Sequence, residues 1–253
     1  MIEVHDLTIR YDDKAVFRAE SALFEEGKIS AVIGRNGSGK STLLKALSGQ
    51  KMYSGSVKID GKECAELRPM ERARKVAYLP QILKSANMDV RTLAEHGRYP
   101  YHGSFRRPTE EDRACVEKAL MITGMKALEE KNLGQLSGGE RQRAYLALVI
   151  AQNSSMILLD EPTSFLDHMY REEFFAILQE LKKAGKGIVM VCHDLEQSFA
   201  YSDRIFLMED GELHSGMTAA GLSGEEDLLR RNFGVVLKPS EDSGSLYPFV
   251  MKR

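Results

Sequence analysis

"ISAVIGRNGSGKST", residues 29–42, decides how this chain is read. A strand-length apolar run, Ile29 to Ile33, meets glycines at 34, 37 and 39. The following "KSTLLKALSG" places Leu43, Leu44 and Leu47 on one helical face and stops at Gly49. The pattern is strand, tight loop, helix, and its loop matches G-x-x-x-x-G-K-[ST] in the context that motif needs. Gly37 and Gly39 let backbone N–H groups curl inward around a phosphate, and the helix start adds a favourable dipole. Lys40 would reach β- and γ-phosphates, and the Ser41 hydroxyl would ligate Mg²⁺. Gly34, Asn36, Gly37, Ser38, Gly39, Lys40, Ser41 and Thr42 are therefore the expected nucleotide contacts.

A hydrolytic phosphate-loop protein also needs an acid for the metal and a group for water. "MILLDEP", residues 156–162, supplies both at the end of a buried-looking strand. Asp160 would hold Mg²⁺ through water, and Glu161 would orient and deprotonate the attacking water. A second glycine pair stands in "GQLSGGERQR", residues 134–143. Ser137 and Glu140 fit a capping box ahead of a helix. A capping box does not need two glycines, however, and Gly138 and Gly139 let an anion approach the helix start.

Around these motifs the composition is ordinary. The 253 residues are 43% hydrophobic and 28% charged, with a formal net charge of −2. That is one large domain or two small ones, with material for a sizeable core. The near-neutral balance gives no support to a nucleic-acid partner. "MIEVHDLTIRYDD" carries charges at 3, 6 and 10 and is not read as a signal peptide. The longest apolar runs are strand-sized, far short of the roughly 20 residues of a membrane helix, so work at a membrane would need another chain to span it. Cys64, Cys115 and Cys192 form no Cys-x-x-Cys pair, which fits a reducing cytosol. Cys192 beside His193 hints at a nucleophile or metal site, but it ends an apolar run where a buried thiol is ordinary.

Along the chain, "EVHDLTIRY", "GSVKIDG" and "KVAYLPQ" read as strands. Helical spacing takes over across 86–133. There "PTEEDRACVEKALMITG" has Val116, Ala119, Leu120 and Thr123 on one face, Thr109 as N-cap and Gly124 as stop. Strand and helix then alternate through "MILLD", "HMYREEFFAILQELKKAG", "GIVMVC", "DLEQSFAYSD" and the hairpin "RIFLMEDGEL". This rhythm argues α/β architecture, a parallel sheet covered by helices. The end of the chain has room for a helix, "EEDLLRRNF", but not another domain.

In their order, these motifs resemble the ATP-binding subunits of ABC transporters over nearly the whole chain. The resemblance rests on the Walker A loop at 34–42, "YLPQ" with Gln81, "LSGGE" at 136–140, "ILLDEP" at 157–162, "SFLD" with Asp167, and His193. It implies a RecA-like P-loop NTPase core with an N-terminal antiparallel β-subdomain and an inserted α-helical subdomain. One nucleotide-binding domain would span 1–253, with the helical subdomain at about 86–150 and a short tail at about 220–253. In that family two such domains stack head to tail, and the signature loop of one caps the γ-phosphate on the P-loop of the other. The phosphate expected at Ser137, Gly138, Gly139 and Glu140 is then the neighbour's. By the same resemblance Gln81 would touch Mg²⁺ or the lytic water and His193 the γ-phosphate. Asp167 would bridge the dimer, Tyr11 would stack on adenine, and the cofactors are ATP and Mg²⁺. Plainer roles stay open: a helix cap for Asp167, a helix-start histidine for His193, a strand tyrosine for Tyr11. Two departures are mild, Glu140 where glutamine is frequent and Arg35 where proline is common.

"AEHGRYPYHGSFRRP", residues 94–108, together with "TSFLD", resembles the importers of iron–siderophore complexes, haem and vitamin B12. There this region faces the membrane subunit. The implied protein is a peripheral ATPase on the cytoplasmic face of the membrane. Its partners would be permease subunits, a second copy of itself and, indirectly, an extracytoplasmic binding protein. Tyr99, Tyr101, Phe105, Arg106 and Arg107 could instead suggest nucleic acid, but they lack a wider basic surface. The rival class is a soluble ABC ATPase of the iron–sulfur cluster assembly type. A P-loop kinase or GTPase leaves LSGGE and His193 unexplained.

Overall fold

The computed structural model describes residues 1–11, 14–83, 86–102, 107–164, 166–214, 216–218, 226–239 and 246–250. Strand β3 (Ile29–Gly34) is buried along its whole length, as a fully apolar run demands. On one side it pairs in parallel with β9 (Arg204–Glu209) and on the other with β8 (Gly187–Val191). Beyond β8 come β7 (Met156–Asp160) and β6 (Val76–Leu79), also parallel. Parallel strands joined by crossovers put every loop after these strands at one edge.

The antiparallel strands β1 (Ile2–Tyr11), β2 (Lys14–Phe24), β4 (Ser54–Ile59) and β5 (Lys62–Glu63) form the other half. They do not form a separate sheet. The short β10 (Glu212–Leu213) pairs with both β2 and β9, making one ten-stranded sheet in the order β5-β4-β1-β2-β10-β9-β3-β8-β7-β6. In β1, Ile2 and Val4, then Leu7 and Ile9, point inward at period two. The phase jumps at Asp6, whose φ is 46°, and the pairing with β4 shifts register there, the mark of a bulge.

Helix α1 (Lys40–Leu47) inserts Leu43, Leu44 and Leu47 into a core shared by β1, β2 and β4 and by β7 and β8. The opposite face is covered by α7 (His168–Lys183) and α8 (Leu195–Tyr201), through Phe174, Phe175, Leu178 and Phe199. Of the α7 face expected from spacing, Phe174, Leu178 and Leu181 are buried, and Ile177 is partly so.

A third core joins α3 (Val90–His96), α5 (Glu110–Ile122) and α6 (Gly138–Ala151) through Val90, Leu93, Val116, Leu120, Ala144 and Ala147. Helix α5 starts at a Thr109–Asp112 capping box and ends before Gly124 at φ +66°. Between α3 and α5 lies the turn α4 (Tyr99–His102), in the segment expected above to face a membrane subunit. Arg98, just before it, is interior. Its Nε donates to Asp112 Oδ1 at 2.9 Å, one Nη donates to the Ala151 carbonyl at 2.9 Å, and its guanidinium lies 3.9 Å from the Tyr101 ring centre. Burial would raise the Asp112 carboxyl, but the Thr109 N–H and Arg98 hold it down to about 2.

Spacing did not single out β2, α2 (Pro69–Lys75) or the terminal hairpin of β11 (Val235–Pro239) and β12 (Leu246–Val250). The expected C-terminal helix is α9 (Glu226–Phe233), anchored by Leu229 in the second core.

Candidate functional site

The phosphate loop begins where β3 ends. Gly34 pairs with Met208 of β9, and a Cβ at 34 would overlap the Met208 carbonyl. Gly39, at φ +106°, begins α1 without any side-chain cap, so the first N–H groups of the helix face the loop. Ser38 Oγ is buried and has no hydrogen-bond partner among the described residues. Lys40 Nζ donates to the carbonyls of Gly34 and Arg35, each at 2.8 Å. Burial lowers the Lys40 pKa, while the charges of Glu161 and Asp160 oppose that shift. These features fit a polyphosphate: a cradle closed to any Cβ at Gly34, a donor-rich helix start, a buried hydroxyl without a partner and an ammonium.

Asp160 ends β7, 3% exposed. Ser41 Oγ donates to its Oδ1 at 2.8 Å and Tyr78 OH to its Oδ2 at 3.1 Å. Burial raises the Asp160 carboxyl, the two hydrogen bonds lower it, and neighbouring Glu161 raises it further. A hydroxyl and one carboxylate are hard oxygen donors of the kind Mg²⁺ takes alongside substrate phosphates and water. Among the described residues no three His, Cys, Asp or Glu side chains gather to hold a metal by themselves. The residues present therefore fit Mg²⁺ delivered with a nucleotide rather than a permanently caged ion.

Glu161 follows with φ +50°, a region uncommon for a non-glycine residue. Its Oε1 lies 2.5 Å from His193 Nε2. Its Oε2 accepts from Gln81 Nε2 at 2.6 Å and from Ser164 Oγ at 3.2 Å. The strand order explains the meeting. Gly34 ends β3, and His193, Glu161 and Gln81 follow β8, β7 and β6, so the four positions come from four consecutive strands of the sheet. Tyr78 and Ser164 were missed as partners of the two acids. Tyr78 sits in "YLPQ" on β6, directly beside β7, and that adjacency is its only signal. Cys192 is buried and its thiol is pushed up to about 12, which suits packing rather than nucleophilic chemistry.

The signature residues lie apart. Helix α6, which they open, packs on α3, α5 and β6, whereas α1 packs on β1, β3 and β7. Ser137 Oγ accepts from the Glu140 N–H at 3.2 Å, and Glu140 Oε2 accepts from the Ser137 N–H at 2.7 Å. That second bond leads in lowering the Glu140 pKa. A Cβ on Gly138 would meet nothing within 4 Å, and one on Gly139 would meet Leu166 at an ordinary 3.5 Å. Among the described residues nothing demands either glycine. Asp167 is exposed and caps α7, accepting from the Tyr170 N–H at 3.1 Å. The side chain of Tyr11, and Phe105, Arg106 and Phe165, lie outside the described residues.

A phosphate loop at the end of β3 in a parallel sheet, with two acids at the end of β7 two strands away, defines a P-loop nucleotide hydrolase. Comparison with known proteins narrows the class. The profile of the family described as "ABC transporter" matches residues 18–164. The petrobactin import ATP-binding protein YclP of Bacillus subtilis is 39% identical over 216 residues, 84% of this chain and 85% of that one. The iron(3+)-hydroxamate import ATP-binding protein FhuC of the same organism is 33% identical over 237 residues, covering 92% and 88%. Among solved structures, an inward-facing ABC transporter described as of the metal-chelate type superposes with a TM-score of 0.81 at 24% identity, covering 98% and 97%. The dimeric bacterial cassette MJ0796 gives 0.75 at 26% identity, covering 86% and 98%. The chain belongs to the ABC transporter family, as one of its ATP-binding subunits that hydrolyse ATP to power transport. Cassettes of this family dimerise and act with membrane permease subunits. The relatives do not favour the soluble cluster-assembly type. No helix among the described residues is long and apolar enough to cross a membrane.

Proposed function

We propose that this chain is the ATPase of an iron(III)-chelate importer, working as a head-to-tail homodimer with two composite ATP sites. The observation that carries the catalytic half is the Glu161 carboxylate, held by Gln81 and His193 one residue from the Asp160–Ser41 pair. Lys40 moves from the carbonyls of its own loop to a γ-phosphate, and the α1 N–H groups and Ser38 hold the remaining oxygens. Ser41 and Asp160 would hold Mg²⁺, with Gln81 beside them. The ion offsets phosphate charge and orients the oxygens when bound. His193 turns its Nε2 from Glu161 to the γ-phosphate. That frees one Glu161 oxygen to take the proton of the attacking water. Tyr11 stacks on adenine.

The other half of each site is supplied in trans. Gly138 and Gly139 serve no packing need among the described residues, which supports their use against the partner's γ-phosphate. Asp167, exposed at the α7 start, reaches across the same interface. ATP then acts as a ligand that selects a closed dimer, and hydrolysis resets it.

The names of the relatives support an iron(III)–siderophore cargo, delivered by an extracytoplasmic binding protein to the permease. The cassette sits at the cytoplasmic face. Its permease contact includes exposed Ile82, next to Gln81, and exposed Tyr99. Here Arg74 of α2 fixes the segment by donating to the Pro100 carbonyl at 2.7 Å. The test is a gentle-detergent pull-down of the tagged chain from its native cells. A polytopic membrane protein in the eluate, with ATPase activity stimulated by ferric-siderophore-loaded binding protein, is expected. Soluble partners alone would overturn the importer reading.

A further inference from the structure

Arg35 and the last turn of α9 meet at the rim of the phosphate loop, in a contact that phosphate binding itself does not require. At the end of α9 the Arg230 carbonyl accepts from the Gly234 N–H at 2.9 Å, with Gly234 at φ +66°. The next two carbonyls, of Arg231 and Asn232, are helix-end acceptors that need donors from elsewhere. Arg35 serves both. One Nη donates to the Arg231 carbonyl and its Nε donates to the Asn232 carbonyl at 3.2 Å. A guanidinium here also meets the negative end of the helix dipole.

The Asn232 side chain closes the junction. Its Nδ2 donates to Glu209 Oε1 at 2.8 Å, at the end of β9, next to the Met208 that pairs with Gly34. The ends of β3, β9 and α9 are thereby tied at one point. A cavity of about 370 Å³ opens there, lined by Asn36, Gly37 and Ser38 of the loop, by Met208, and by Asn232 of α9. The C-terminal segment is thus one wall of the space directly outside the phosphate loop. It is firmly seated, because Leu229 and Val235 are buried in the core.

Arg35 is held from two sides. Its side chain is gripped by α9, while its carbonyl accepts from Lys40 at 2.8 Å and from the Ser38 N–H at 3.2 Å. When Lys40 leaves that carbonyl for a phosphate, the α9 grip keeps the peptide where the loop needs it. A proline at this position would stiffen the loop through its own ring, whereas this chain has a side chain that stiffens it from outside.

We propose that Arg35 is a positioning residue that couples the C-terminal segment, residues 226–239, to the nucleotide affinity of the phosphate loop. The inference rests on residues 34–42 being that loop. Coupling of this kind is reciprocal: if the docked segment raises affinity for nucleotide, nucleotide must tighten the docked segment. A merely structural arginine would produce no such response.

The test uses the full chain, wild type beside Arg35→Ala, Arg35→Lys and Lys40→Ala. Equilibrium binding of a fluorescent non-hydrolysable ATP analogue is measured, with hydrogen exchange of residues 226–239 in its presence and absence. Arg35 is exposed, so its variants are expected to fold. Arg35→Ala should weaken binding about five- to tenfold and remove the analogue-induced slowing of exchange. Arg35→Lys should restore part of both, since an ammonium reaches a carbonyl without the two-pronged fork. If Arg35→Ala keeps wild-type affinity and protection while Lys40→Ala loses binding, the phosphate loop stands and the coupling is wrong. If exchange at 226–239 rises equally with and without analogue and affinity is unchanged, Arg35 only anchors the segment, and the proposal also fails. Retained binding in Lys40→Ala would overturn the loop reading and the coupling with it.

Discussion

The helix starts at Gly39 and Ser137 use the same ingredients, glycine and serine ahead of a helix with an apolar face, and differ in how they are finished. The first is closed in. Its glycine at 34 touches a neighbouring strand, its lysine is buried, and two acids from β7 stand beside it. The second is open. Its serine and glutamate satisfy each other, and its glycines face open space or ordinary contact. A helix N-terminus favours an anion in both cases, but only the first carries the groups for chemistry. That difference is what the proposed head-to-tail pairing rests on: one binding half finished within the chain, and a second helix start left open for another copy.

The largest effect that would break or sharpen this contrast is at Glu161. Glu161→Gln should lower ATP turnover by about 10²–10⁴-fold while keeping nucleotide affinity. Normal steady-state turnover would remove Glu161 as the base. Next, Lys40→Ala should weaken ATP binding by about 10²-fold, or ~2.7 kcal/mol, as read by titration with a fluorescent nucleotide. Gly138→Val should separate the two loops. Binding by the isolated chain should stay within about twofold, whereas turnover falls by about tenfold or more, because a side chain now fills the approach to the second helix start. Weakened binding by the monomer would mean that the two loops serve the same phosphate.

The smallest effects are on stability. Ser137→Ala removes a cap and should cost about 1 kcal/mol, a fall of roughly 2–4 °C in Tm. Asp160→Asn should move the other way. Burial raises the Asp160 carboxyl in the folded chain, so the fold binds that proton more tightly than the unfolded chain does. The group therefore favours folding below its unfolded pKa, and that contribution is lost as pH rises through the folded pKa. At neutral pH the buried charge is a net cost, and the asparagine variant should melt higher by roughly 2 °C. The gain should vanish at pH below the unfolded aspartate value. A lower Tm at neutral pH would show that the charge is stabilised by groups other than Ser41 and Tyr78.

Much of this was legible in residues 29–42 and 156–162 because local rules and tertiary structure agree there. Buried strands read as apolar runs, and the loop glycines sit where a Cβ or a negative φ would fail. The α5 cap and stop were legible for the same reason, Thr109 and Gly124 being local devices. Arg98 was not, because its partners Asp112 and Ala151 are brought to it only by helix packing. Strand β2 was hidden by arginine and glutamate on its outer face, and β10 by its two-residue length. The Glu161 cluster was legible as a set of residues only through family resemblance. Its geometry follows from the neighbouring order of β6, β7 and β8, which no local spacing encodes.

The claim that the second loop serves another copy is tested most directly by the molar mass of Glu161→Gln in solution, by light scattering with saturating ATP and Mg²⁺. A shift from monomer to dimer on adding ATP, abolished by also introducing Gly138→Val, is the predicted result. A chain that binds ATP and stays monomeric, or a dimer indifferent to Gly138→Val, would contradict it.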